Sequence, residues 1–209
     1  MNRRSPTYLY DLLVSTIFVE GTDDVDLGML GFDAVWVHGT DIATLSSEFE
    51  LDPTTREPCY LSQILDRHLD DGSRWVAQVG GWICVVPAPY EGDEFMRAVT
   101  TGGRKAVSLG MDVSNREYFK YAEDSRLITA FDPAFPSDAH GEDPRALDHL
   151  MAGLRFEINV EDDAQTWVET DEMLSSTLTL IGRITDTDMA ADWFEARHSS
   201  MRDKRLASP

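Results

Sequence analysis

The chain has 209 residues, and its 18 basic against 38 acidic side chains leave a formal charge of −20 at pH 7. Hydrophobic residues at 42% are enough for a sizeable core, which excludes a wholly disordered chain. There is no apolar run of about 18 residues, so an ordinary membrane-spanning helix is excluded, and two cysteines, Cys59 and Cys84, cannot build a disulfide scaffold.

The opening Met1-Asn2-Arg3-Arg4 is basic, but Asp11 and Glu20 interrupt the apolar residues after it, and no secretory leader is expected. Ser5-Pro6 reads as a helix cap with proline at the first helical position, and Tyr8, Leu9, Leu12 and Leu13 keep helical spacing. Residues 14–19 are rich in β-branched side chains and suit a strand equally well. Thr22-Asp23-Asp24 caps a short helix that Gly31 stops, and Ala34-Val35-Trp36-Val37 reads as a short strand. Residues 40–58 show no period and contain Asp52-Pro53, so loop is expected over most of them. Leu61, Ile64, Leu65, His68 and Leu69 mark one face of a helix.

The middle of the chain is the most legible part. Runs 75–79 and 82–86 are separated by Gly80-Gly81, the two-residue link of a tight hairpin. One or two helical turns are expected over residues 94–99, followed by strands over 106–113, 117–122 and 127–131. Alternation in Tyr118-Phe119-Lys120-Tyr121 gives that sheet one wetter face. Pro144 opens a helix through Leu147, Leu150, Met151 and Leu154, and another is expected over residues 171–181. Thr185 with Asp188 caps a last helix carrying Met189, Trp193, Phe194 and Met201. The expected class is α+β: an antiparallel meander of about five strands with helices packed mainly on one face. One domain over residues 1–209 is expected, with 38–72 as an insertion and 198–209 as a flexible basic tail.

The acids are unevenly placed. Residues 5–55 carry ten acids and no lysine or arginine, and residues 156–182 carry seven with none. Direct nucleic-acid binding is disfavoured, because neutralising phosphates requires a basic surface. Mimicry of a nucleic acid is disfavoured too. A compact chain of this mass exposes about 9,800 Å², which spreads the net charge several-fold more thinly than on duplex DNA.

Tests for familiar chemistry are mostly negative. Thr101-Gly102-Gly103-Arg104-Lys105 lacks the spacing of a phosphate loop and leads into a strand. Ala106-Val107-Ser108-Leu109-Gly110 approaches a nucleophile elbow but has alanine in the first glycine position and sits inside a strand. The five histidines form no zinc-binding helix motif. The constellation Asp138, His140, Glu142 and Asp143 around Gly141 carries ligands able to hold a divalent cation, or else forms a solvated turn leading into the next helix.

Gly80-Gly81-Trp82-Ile83 with Val85-Val86 resembles the "GGW" strand of an uncharacterised domain family of high-GC bacteria. The run Phe119-Lys120-Tyr121-Ala122-Glu123-Asp124 and then Leu127-Ile128-Thr129-Ala130-Phe131-Asp132-Pro133 is similar to that family's subsequent strands, with Ser125 where glycine is common. Gly141-Glu142-Asp143-Pro144 resembles the start of its next helix. The resemblance implies a cytoplasmic bacterial module and assigns no catalytic residue.

The first functional expectation is therefore a non-enzymatic acidic module that binds a protein partner with a basic surface, in a regulatory or immunity-type role. It uses neither cofactor, nucleic acid nor membrane. Its contact residues would be Asp23, Asp24, Asp26, Glu48, Glu50, Glu161, Asp162 and Asp163. The alternatives are a metal-dependent or hydrolytic enzyme using Asp138, His140, Glu142 and Asp143, and a nucleic-acid-mimicking inhibitor.

Overall fold

The computed structural model describes residues 5–15, 32–66, 72–111, 117–155 and 169–205. In chain order the elements are α1 (Tyr8–Ser15), β1 (Phe32–His38), α2 (Ile42–Glu48), β2 (Leu51–Cys59), α3 (Leu61–Asp66), β3 (Ser73–Val79), β4 (Trp82–Val86) and α4 (Gly92–Val99). They continue with β5 (Lys105–Met111), β6 (Glu117–Glu123), β7 (Arg126–Phe131), α5 (Asp148–Met151), α6 (Thr170–Thr185), α7 (Ala191–Phe194) and β8 (His198–Asp203).

The strands form one antiparallel sheet of eight, in the order β2-β8-β3-β4-β1-β5-β6-β7. The α+β class stands, but the expected five-stranded meander is corrected. The hairpin β3-β4 and the meander β5-β6-β7 form as expected, with Val79 paired to Trp82 across Gly80-Gly81. Asp124 and Ser125, at φ 49° and 63°, make the tight link from β6 to β7. The two blocks do not meet, because β1 lies between β4 and β5. Its Phe32, Ala34, Val35, Trp36 and Val37 are all buried, the pattern of a strand covered on both faces.

The sheet separates two cores. On one face Trp36, Trp75, Cys84, Val107, Leu109 and Phe119 pack against Leu9 and Leu13 of α1, Ile64 of α3, Leu174, Leu178 and Ile181 of α6, and Trp193 and Phe194 of α7. On the other face Val35, Val37, Val76, Ile83, Val85 and Ala106 pack against Leu45 of α2 and Met96 and Val99 of α4. Helices thus cover both faces, the larger set on the α1–α6 side. Buried Ser175 of α6 ties α1 down by accepting the Leu9 and Tyr10 backbone N–H groups at 2.9 and 3.3 Å.

Residues 40–58, expected as loop, hold α2 and β2. Asp41 supplies the helix start, accepting the Thr44 N–H at 2.8 Å. β2 carries Pro53 and Pro58 because it is the outermost strand, with a register shift between Asp52 and Glu57. The expected last helix is reduced to α7. Residues 198–203, expected in a flexible tail, form β8 between β2 and β3, with Met201 in the core and Asp203 2% exposed. The readings over residues 16–31, 67–71, 112–116 and 156–168 lie outside the described residues.

His198 opens β8 with its ring edge-on to Trp75, centroids 5.1 Å apart, and its Nε2 is buried without a partner among the described residues. Burial pulls its pKa below the ordinary 6.5, so the folded protein holds the ring neutral. That stabilisation is complete above pH 6.5 and is lost as pH falls through the lower folded value. His198→Phe keeps the ring contact and removes the proton site. The gap in Tm between parent and variant should therefore move in the variant's favour on acidification from pH 7.5 to about 5, measured by thermal melts. A gap independent of pH refutes the assignment.

Candidate functional site

The face covered by α2 and α4 changes character along the strands. The cross-strand row Val37–Ala106–Ala122 is apolar and belongs to the core beneath α4. The next row is Val35–Ser108–Lys120, and the one beyond is Asp33–Gly110–Tyr118. Side chains two residues apart share a face, so all three rows point toward α4. The short α4 leaves the polar end of this face uncovered, and a cleft of about 510 Å³ opens there. Its floor is Asp33, Ser108, Gly110, Tyr118 and Lys120; its wall is the segment from Ala88 to Phe95.

The wall is fixed from both sides. The Ala88 N–H donates to the Asp33 carbonyl at 3.0 Å. Half-buried Arg74 of β3 donates through Nη1 to the Pro87 and Ala88 carbonyls at 3.0 and 3.2 Å. Burial lowers the Arg74 pKa, opposed chiefly by the Asp203 carboxylate. Tyr90, at the rim, donates its hydroxyl to Glu50 Oε2 at 3.2 Å and lies beneath the Arg205 guanidinium, 5.5 Å from its ring centroid. Arg205 also reaches Glu50 at 3.1 Å and Asp203 at 2.6 Å. The Asp203 carboxyl is held below the usual range, mainly by that hydrogen bond from Arg205.

Inside the cleft, Lys120 Nζ donates to Asp93 Oδ1 at 2.7 Å, and this bond is the main cause of the lowered Asp93 pKa. Lys120 is the only cationic side chain among the described lining residues, and it has a carboxylate partner. Asp33 and Glu91 add carboxylates. Gly110 is glycine for space: a Cβ there would stand 2.7 Å from Asp33 Oδ1, so the Asp33 carboxyl lies across the bare backbone. Tyr118 is 41% exposed and makes no ring contact or hydrogen bond among the described residues.

The residues singled out from sequence fall elsewhere. Glu48 receives Arg104 Nη1 on both oxygens, at 3.0 and 2.7 Å, and Glu50 joins the Arg205 network. Asp23, Asp24, Asp26, Glu161, Asp162 and Asp163 lie outside the described residues. Among the described residues no three His, Cys, Asp or Glu side chains are grouped to hold a metal ion, and Asp138, His140, Glu142 and Asp143 diverge. His140 faces Asp93 at 4.0 Å, Glu142 faces Arg126 at 3.6 Å, and Asp143 accepts the Arg145 N–H at 3.2 Å. Their backbone explains the segment better. His140 exchanges hydrogen bonds with Ala130 at 2.8 and 2.9 Å, and Glu142 and Asp143 donate to Leu127 and Ile128. Ser108 sits inside β5 and not on a strand-to-helix turn, so it is no nucleophile elbow.

The cleft leaves only a faint trace in the sequence. Two signals pointed to it: a glycine inside a strand, and the alternation that puts Tyr118 and Lys120 on one face.

The class so defined is an α+β protein whose eight-stranded antiparallel sheet is clad by helices on both faces and holds a ligand-sized cleft at one polar end. A family model described as "Family of unknown function (DUF6461)" matches residues 69–200, and the chain belongs to that family. The matched stretch supplies most of the cleft; Asp33 comes from outside it. No curated protein and no solved structure matches the chain. Among the described residues no helix is long and apolar enough to cross a membrane.

Proposed function

We propose that this protein is a non-enzymatic binding module that captures a partner with a basic surface. The observation that carries the reading is the electrostatics of the cleft: carboxylates of Asp33 and Glu91 line it, and its single described cation is already held by Asp93. The surrounding field has the same sign, since the whole chain carries −20. Such a field raises the rate at which a cationic partner arrives and repels anionic ones. Glu48 and Glu50 are committed to arginines of the same chain, so the proposed contact surface is the cleft, with Asp33 and Glu91 as its acidic residues. Both cysteines are buried thiols outside any disulfide, which suits a reducing cytoplasm.

The test is capture of the partner from cells of the source organism, followed by association kinetics with the purified partner. The recovered protein should have a basic surface, and its association rate should fall about tenfold between roughly 20 and 200 mM salt. A rate unaffected by salt, or a partner with an acidic contact surface, overturns the reading.

A further inference from the structure

We infer that the cleft is an arginine pocket, which takes the guanidinium of a side chain presented by the partner. The source of that arginine rests on the partner-capture reading; the pocket itself rests on geometry. Asp33, Gly110 and Tyr118 are consecutive cross-strand neighbours, so a carboxylate and an aromatic ring stand on either side of a position with no side chain. The Asp33 carboxyl lies across the bare Gly110 backbone toward the strand that carries Tyr118, so carboxylate and ring border the cleft together. A guanidinium is the cation that suits both walls. Its edge pairs with a carboxylate through two parallel N–H bonds, and its face stacks on a ring. A carboxylate offers about four acceptor positions, so Asp33 can take a guanidinium edge along with its other contacts.

The protein already uses this chemistry at the rim of the same cleft. There the Arg205 guanidinium lies over the Tyr90 ring at 5.5 Å and pairs with Glu50 at 3.1 Å. An ammonium is a poorer match because it is a compact point charge without a face to stack. Tyr90 is already engaged, tilted against Phe95 with ring centroids 5.9 Å apart and lying under Arg205, whereas Tyr118 lines the cleft with an exposed ring.

The probe is Nα-acetyl-arginine amide, titrated into the labelled full-length protein and followed by NMR, with Nα-acetyl-citrulline amide as the neutral isostere. The arginine compound should shift the Gly110 amide and the Tyr118 ring saturably, and the citrulline compound should not. Asp33→Asn should weaken binding about tenfold, and Tyr118→Leu about threefold with Tm unchanged because that ring is exposed. Equal shifts from citrulline, or binding that neither variant alters, overturn the pocket. Saturable arginine binding with no basic partner recovered from cells would sustain the pocket and remove the partner reading. A salt-sensitive partner bound equally well by both variants would do the reverse.

Discussion

Gly141→Ala is expected to lower the melting temperature by about 6–12 °C, the equivalent of about 3 kcal/mol in a chain of this size. Gly141 sits at φ 127°, a region that side-chain-bearing residues rarely enter. A Cβ there would stand 2.4 Å from the Ile128 carbonyl oxygen and 2.8 Å from its carbon, both backbone atoms of β7 that no side-chain rotation can move. Relief requires residues 139–143 to peel off β7, giving up the paired bonds between Ala130 and His140 and the Glu142 and Asp143 bonds to Leu127 and Ile128. Gly102→Ala is the control. Its φ of 82° is equally left-handed, but a Cβ there meets nothing within 4 Å, so it reports backbone strain alone, about 1 kcal/mol. Thermal melts of the two variants separate the effects. Equal losses would show that the close approach to β7 contributes nothing.

The same segment shows what the sequence could and could not disclose. Asp138, His140, Glu142 and Asp143 around a glycine carry the residue types of a cation loop, and composition alone cannot separate that from an extended strand whose polar side chains point to different neighbours. Only the pairing with Ala130 decides, and pairing across sequence distance leaves no local trace. Local signals were reliable where the contact partners are close in sequence. The Gly80-Gly81 hairpin and the neighbouring strands β5, β6 and β7 are examples, since each pairs with the next in sequence.

Non-local placement was opaque. The run at residues 34–37 reads as a strand, yet nothing in it says that it separates β4 from β5. β8 was hidden in His-Ser-Ser-Met-Arg-Asp, a polar string with weak strand preference that is held in the sheet by neighbours on both sides. β2 was hidden by its two prolines, which an outermost strand tolerates. The cleft was obscured for a related reason: Asp33, Gly110 and Tyr118 are adjacent only because β1 lies beside β5.

Trp75→Ala is expected to cost about 3–5 kcal/mol, a large part of the 5–15 kcal/mol that typically holds a domain folded. Trp75 is fully buried in β3, edge-on to Trp193 at 5.4 Å and to His198 at 5.1 Å. Its indole N–H donates to the Cys59 carbonyl at 3.3 Å, which ties β3 to the end of β2 across β8. The substitution therefore opens a cavity where α7 meets the sheet and removes the hydrogen bond to that carbonyl. The comparison of Trp75→Phe with Trp36→Phe divides the two contributions. Trp36 belongs to the same aromatic group, its ring 6.5 Å from that of Trp193, but its buried Nε1 has no partner among the described residues. Phenylalanine at position 75 gives up a hydrogen bond, whereas at position 36 it removes an unsatisfied donor. Urea denaturation should show a lower midpoint for Trp75→Phe than for Trp36→Phe at an unchanged slope, equivalent to about 1–2 kcal/mol of stability. Equal midpoints would mean that the bond to Cys59 adds nothing to stability and that ring packing alone holds α7 on the sheet.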